Sequence, residues 1–229
     1  MERKNSMKET SPKKEVAPAS DAAPAPPPRK MRFFWQGDAR WRHDALGLGN
    51  STMAAAGCLV TSLTLAAHWL SVKTLEFTPG DANQLLKKHA HCWSGSNLIM
   101  PLAARHLGLS CPADKRLRAP FGDPGLKKLL EETLKAGDAA IIHVSTDGDP
   151  KDGGEHFILA YQLTEAGEVL CADPALGASV TLPLQKLEAK VMWREKPKLY
   201  QVVSVAPVSS APTESSAPKA TMARSEVTK

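Results

Sequence analysis

EHFILAYQLTEAGEVLCAD, residues 155–173, decides the architecture. Phe157, Leu159, Tyr161 and Leu163 recur at every second position against polar or small partners, the period of a strand with one buried side. EAGE (165–168) interrupts that pattern as a turn, and VLCAD (169–173) resumes it, so the two halves predict an antiparallel hairpin. A hairpin carries its first and last residues to one open end. His156 and Asp173 therefore belong to the same end of the sheet, with the register between the strands left open by the sequence.

Downstream of the hairpin, ASVTL (178–182) and KLYQVVSV (198–205) read as further strands, and upstream AAIIHV (139–144) reads as a short buried one. Before residue 139 the period changes to that of helices. Val60, Leu63, Ala67 and Leu70 make one apolar stripe from about 54 to 70. Pro79-Gly80-Asp81 caps a helix through DANQLLKKHA. Ser96 is placed to cap a third, SNLIMPLAARHLG, which Gly108 stops; Pro101 falls near its first turns or splits it. Asp123 and Pro124 open a fourth, DPGLKKLLEETLKAG, which Gly137 ends. Helices followed by a meandering sheet predict an α+β fold, with a helical N-terminal lobe, an antiparallel C-terminal lobe and a cleft between them. No internal repeat is visible.

Composition sets the limits of that domain. Residues 1–30 and 206–229 are rich in Pro, Ala, Ser and charge without apolar periodicity, and predict disordered arms around a domain at 31–205. The overall charge of +5 is concentrated in those arms: residues 1–30 hold seven Lys/Arg against four Asp/Glu, and 31–205 hold 19 against 18. A nucleic-acid binder concentrates basic charge on its folded part, so that class is not expected. No segment is apolar and long enough to span a bilayer, and the N-terminus lacks the apolar core of a secretory signal. The default expectation is a cytoplasmic location, and Cys58, Cys92, Cys111 and Cys171 are expected as thiols rather than disulfides.

Cys58 stands out among them. TMAAAGCLVTSLTLAAHWL (52–70) places it at the first turn of a helix, behind residues with almost no side chain. Unpaired N–H groups and the helix dipole favour negative charge there, and the thiolate is the nucleophilic form. A cysteine nucleophile needs a base and a group that orients the base. His156 supplies the first and Asp173 the second. The Cys58 N–H and the side-chain amide of Gln36, in FFWQGDARW, are the candidate oxyanion donors.

The ordered segments WQGDARW (35–41), GCLVTSLTLAA (57–67), PGDANQLLKKH (79–89), LKAGDAAIIHV (134–144), EHFILAY (155–161) and CADP (171–174) resemble papain-fold cysteine peptidases. The branch they look most like is that of the bacterial double-glycine leader peptidases, including stand-alone bacterial and phage domains. The resemblance covers most of residues 33–175. It implies a papain-like fold, Cys58 as nucleophile, His156 as general base and acid, Asp173 as its orienter and Gln36 as oxyanion donor, with no cofactor. The expected activity is thiol-dependent cleavage of an amide bond in a peptide or protein. Cell-wall stem peptides are one alternative substrate. A binding or structural protein that kept the fold and lost the activity is the alternative outside the enzyme class.

Other residues offer weaker chemistry. His143, inside AAIIHV, is a rival base but sits where a core or edge histidine would. His89, His91 and Cys92 invite a metal, yet no second cluster follows at zinc spacing, so none is expected. Asp147, Asp149, Asp152 and Glu155 hint at calcium, but an EF-hand counted from Asp147 needs Gly and Glu where Asp152 and Ile158 stand. That loop, carrying Gly148, Pro150, Gly153 and Gly154, is expected to be flexible over the cleft. The five tryptophans, Trp35, Trp41, Trp69, Trp93 and Trp193, are expected as lobe packing.

Overall fold

The computed structural model describes residues 29, 31–113, 116–119, 124–145, 155–183 and 200–207. In chain order it holds helices α1 (Met53–Ala56), α2 (Cys58–Trp69) and α3 (Pro79–Lys87), then a 3₁₀ turn (Ala90–Cys92). A small hairpin of β1 (Trp93–Ser94) and β2 (Asn97–Leu98) leads into α4 (Met100–His106). Strands β3 (Leu109–Ser110) and β4 (Arg116–Ala119) precede α5 (Pro124–Lys135). The remainder is β5 (Ala139–Ser145), β6 (Glu155–Leu163), β7 (Glu168–Asp173), β8 (Ala178–Pro183) and β9 (Tyr200–Pro207). The fold is α+β, with a seven-stranded antiparallel sheet in the order β3-β9-β5-β6-β7-β8 and β4 also paired to β9.

The expected meander holds for β5 to β8 and ends there. Strand β9 returns to the free edge of β5, and the short β3 and β4, which the sequence reading missed, pair with its outer side. Two residues of the expected C-terminal arm, Ala206 and Pro207, belong to β9, where they face Ser110 and Leu109. Arg29, expected in the N-terminal arm, also docks: it donates to Gly137 O at 2.7 Å and lies over the Trp69 ring. The rest of both arms, the 146–154 part of the acidic loop and Trp193 lie outside the described residues.

The sheet is covered on both faces, which changes the reading of β6. Leu159 and Tyr161 join Ile141, Ala139 and Ala172 against the helices α2 to α4. Ile158 and Ala160 join Ala140, Ile142 and Cys171 under Leu126, Leu129, Leu130 and Leu134 of α5. The strand is thus buried on both sides, not on one, because α5 lies on the face that alternation had assigned to polar groups. Burying one leucine from α5 stabilises the fold by about 1.5–3 kcal/mol. A bulge between Ala160 and Gln162 also shifts parity, so Leu163 packs with the α5 cluster and not with Phe157, Leu159 and Tyr161.

The helices differ from expectation in similar ways. The continuous helix predicted from 54 divides at Gly57, whose N–H bonds Met53 O at 2.9 Å. All twelve residues of α2 are buried, so the stripe is only part of its contact surface. Two of its hydroxyls are satisfied: Ser62 Oγ donates to Phe157 O of β6 at 3.1 Å, and Thr64 Oγ1 to Val60 O at 2.9 Å, whereas Thr61 Oγ1 is buried without a hydrogen-bond partner. Burial pushes the His68 pKa down, and its neutral ring bonds Phe77 O at 2.8 Å through Nε2. The cap of α3 is Thr78, one residue ahead of Pro79: its hydroxyl accepts from the Asp81 N–H while the Asp81 carboxylate accepts from the Thr78 N–H. Ser96 caps no helix. It lies in the turn of the β1–β2 hairpin beside Gly95, which has φ +63°, and α4 begins four residues later. Gly108 and Gly137, at φ +81° and +79°, end α4 and α5 as expected.

Candidate active site

Cys58 is the first residue of α2, directly after the Gly57 joint. A Cβ on Gly57 would meet Met53 O at 2.4 Å, so only glycine allows the chain to turn this tightly from α1 into α2. Gln36 Nε2 donates to Ala54 O at 2.8 Å, the carbonyl that an unbroken helix would offer to the Cys58 N–H. Cys58 is buried, 8% exposed as a residue, and lines a cleft of about 380 Å³. Ala55 and Ala56, among the small residues before Cys58, are exposed and line the same cleft.

His156 and Asp173 meet at the open end of the sheet. The register pairs Leu159 with Ala172 and Ala160 with Cys171. Continued by one residue, it sets Asp173 opposite Ile158 and makes His156 its diagonal neighbour on the same side of the ladder. His156 Nε2 lies 2.8 Å from Asp173 Oδ1, with both groups buried. The same oxygen accepts the Ala175 N–H at 2.7 Å, an Asx turn that holds the carboxylate in place. Since Nε2 is occupied by Asp173, Nδ1 is the nitrogen left for Cys58, and the thiol hydrogen-bonds the ring. Burial disfavours the imidazolium, but the hydrogen bonds to Asp173 and Cys58, with their charges, outweigh it and push the His156 pKa up to about 9.

Gln36 reaches the cleft from a third direction. Its backbone N–H donates to Pro174 O at 2.9 Å, which ties it to the turn after Asp173. Gly177, at φ +65°, lets Trp35 lie against that turn, where a Cβ would come 2.8 Å from the Trp35 Cβ. The Ala54 carbonyl requires that the Gln36 side chain present its NH₂ group there; Gln36 Oε1 is buried without a hydrogen-bond partner. Gln36, Cys58 and His156, from the N-terminal loop, α2 and β6, therefore line one cleft, and Asp173 from β7 stands behind the histidine.

The opposite wall was misread. Trp93, Ser96, Asn97 and Leu98 of the β1–β2 hairpin line the cleft, as does Ser51. The signal for it was present: Ser94-Gly95-Ser96-Asn97 is turn chemistry, and it competes with the helix cap assigned to Ser96. Trp93 is 6% exposed and its N–H bonds Leu86 O, so it is packing, as are Trp41 and Trp69; Trp35 is 47% exposed. His143 stacks on Phe157 with ring centroids 4.2 Å apart and does not line the cleft. Glu155 is the first residue of β6. Cys92, Cys111 and Cys171 are buried thiols; burial raises all three, Cys111 to about 11. Among the described residues no helix is long and apolar enough to cross a membrane.

A scan against protein-family models finds no match for this chain, and a search of curated proteins finds no similar sequence.

Proposed function

We propose that the chain is a thiol-dependent amide-bond hydrolase: a cysteine peptidase of papain-like arrangement that acts on a peptide substrate held in the cleft. The observation that carries this reading is the chain of contacts from Cys58 to His156 to Asp173, with Cys58 lining a 380 Å³ cleft. A buried histidine with a pKa of about 9 is an imidazolium at neutral pH, which holds a proton ready for a leaving amine.

In the proposed reaction the Cys58 sulfur attacks the scissile carbonyl carbon and a C–S bond forms. Negative charge moves to the carbonyl oxygen, where the Cys58 N–H and the remaining Gln36 Nε2 hydrogen are the available donors. His156 gives its proton to the leaving amine as the C–N bond breaks. It then takes a proton from water, whose oxygen attacks the thioester, and the carboxylic acid leaves as the thiolate is restored. Asp173 holds the ring so that Nδ1 faces the sulfur throughout.

The test is alkylation followed by mass mapping, beside turnover of a quenched-fluorescent peptide pool. Iodoacetamide is expected to modify Cys58 ahead of Cys92, Cys111 and Cys171, which burial keeps as thiols. Cys58→Ala is expected to lower hydrolysis by at least about 10³-fold. Full activity in Cys58→Ala, or alkylation spread over the other three cysteines, would remove the proposal.

A further inference from the structure

His91, Cys92 and His106 come together although the sequence places His106 on another element. Cys92 ends the 3₁₀ turn after α3, and His106 ends α4. Their ligating atoms all lie within 4.8 Å of one another. His91 Nε2 and His106 Nε2 are 3.1 Å apart, close to the roughly 3.3 Å that separates two imidazole nitrogens on a tetrahedral zinc with bonds of about 2.0–2.1 Å. His89 stacks on His106 with centroids 3.7 Å apart and an interplanar angle of 16°, which fixes that ring. His91 is exposed and gives solvent access, while Cys92 is fully buried beneath it.

We propose that His91, Cys92 and His106 bind a borderline-soft divalent transition metal of the zinc class, with water in the fourth position. Two imidazoles and a thiolate select zinc or cobalt over magnesium or calcium, which require oxygen ligands. On binding, the Cys92 S–H proton goes to solvent and the S–metal bond forms. Spacing within 89–92 alone did not predict a site because the third donor, His106, comes from the far end of α4. The Ile99 N–H bonds Cys92 O at 2.8 Å and closes the hairpin that walls the cleft, so the metal would fasten that wall to α4. The site stands independently of any chemistry at Cys58.

The test uses untagged full-length protein in the Cys58→Ala background, so that the cleft thiol cannot contribute, titrated with Co(II) alone. One equivalent is expected to bind with a thiolate-to-cobalt charge-transfer band in the near ultraviolet. Cys92→Ser should abolish the band. His91→Ala and His106→Gln should each weaken binding by more than about a hundredfold, beyond the loss of an outer-shell partner. Zn(II) should raise the melting temperature of the Cys58→Ala protein and leave that of the His91→Ala variant unchanged. His91 is exposed, so an unaltered metal-free melting temperature shows that this variant still folds. Absence of the band from the Cys58→Ala protein, or its persistence in His91→Ala and His106→Gln, would overturn the proposal.

Discussion

Asp173 holds His156 through one carboxylate oxygen, and the Ala175 N–H fixes that same oxygen. Asp173→Asn keeps the shape and removes the charge. The His156 pKa, held up to about 9, should fall, and an NMR titration of the ring reads the change directly. The sign for stability follows. A raised histidine pKa contributes stability that is complete below the unfolded value near 6.5 and is lost as pH rises through about 9. The wild type should therefore lose stability across that window on the order of 3 kcal/mol, and Asp173→Asn much less. The basic limb of the proposed hydrolysis should move to lower pH in the variant, with turnover at neutrality lower by roughly 10²–10⁴-fold.

At the scale of elements, the joint between α1 and α2 sets where the sulfur emerges. A Cβ on Gly57 would lie 2.4 Å from Met53 O, a backbone atom that cannot swing aside. Gly57→Ala should then cost about 1–3 kcal/mol, read from the urea midpoint, and slow alkylation of Cys58 as the first turn of α2 shifts. Stopping residues were legible in the sequence because they act over three or four positions: Gly108 and Gly137 sit beside the helices they end, while the cap of α3, Thr78, lies one residue ahead of the Pro79-Gly80-Asp81 start read from the sequence. The hairpin at 93–98 was not. Ser96 suits a helix cap and a turn alike, and pairing of Trp93 with Leu98 decided between them.

Across the whole molecule the sheet is the middle layer, with α2 on one face and α5 on the other. Leu130, on α5, is fully buried against the sheet. Leu130→Ala should destabilise the protein by about 2–5 kcal/mol in equilibrium unfolding, through lost burial and the cavity left behind. Cys58 alkylation under native conditions should be unchanged, because α5 packs on the face away from α2. Strand β9 lies between β5 and the pair β3 and β4, so the last described segment of the chain is an interior strand of the sheet. This non-local pairing ties residues 109–110 and 116–119 to 200–207, and no local pattern announces it.

The sequence by itself determined the period of each principal element, the hairpin of 155–173, the helical stretch that carries Cys58 and therefore the α+β class, because those properties depend on neighbours a few positions apart. It also named Gln36, Cys58, His156 and Asp173, all of which the structure gathers at one place. Only the tertiary structure decided that β6 is buried on both faces, that β9 enters the sheet between earlier strands, and that His106 joins His91 and Cys92. Each of those depends on which distant surface covers a given side chain, and hydrophobic packing, being non-directional, leaves no mark of its partner in the local sequence.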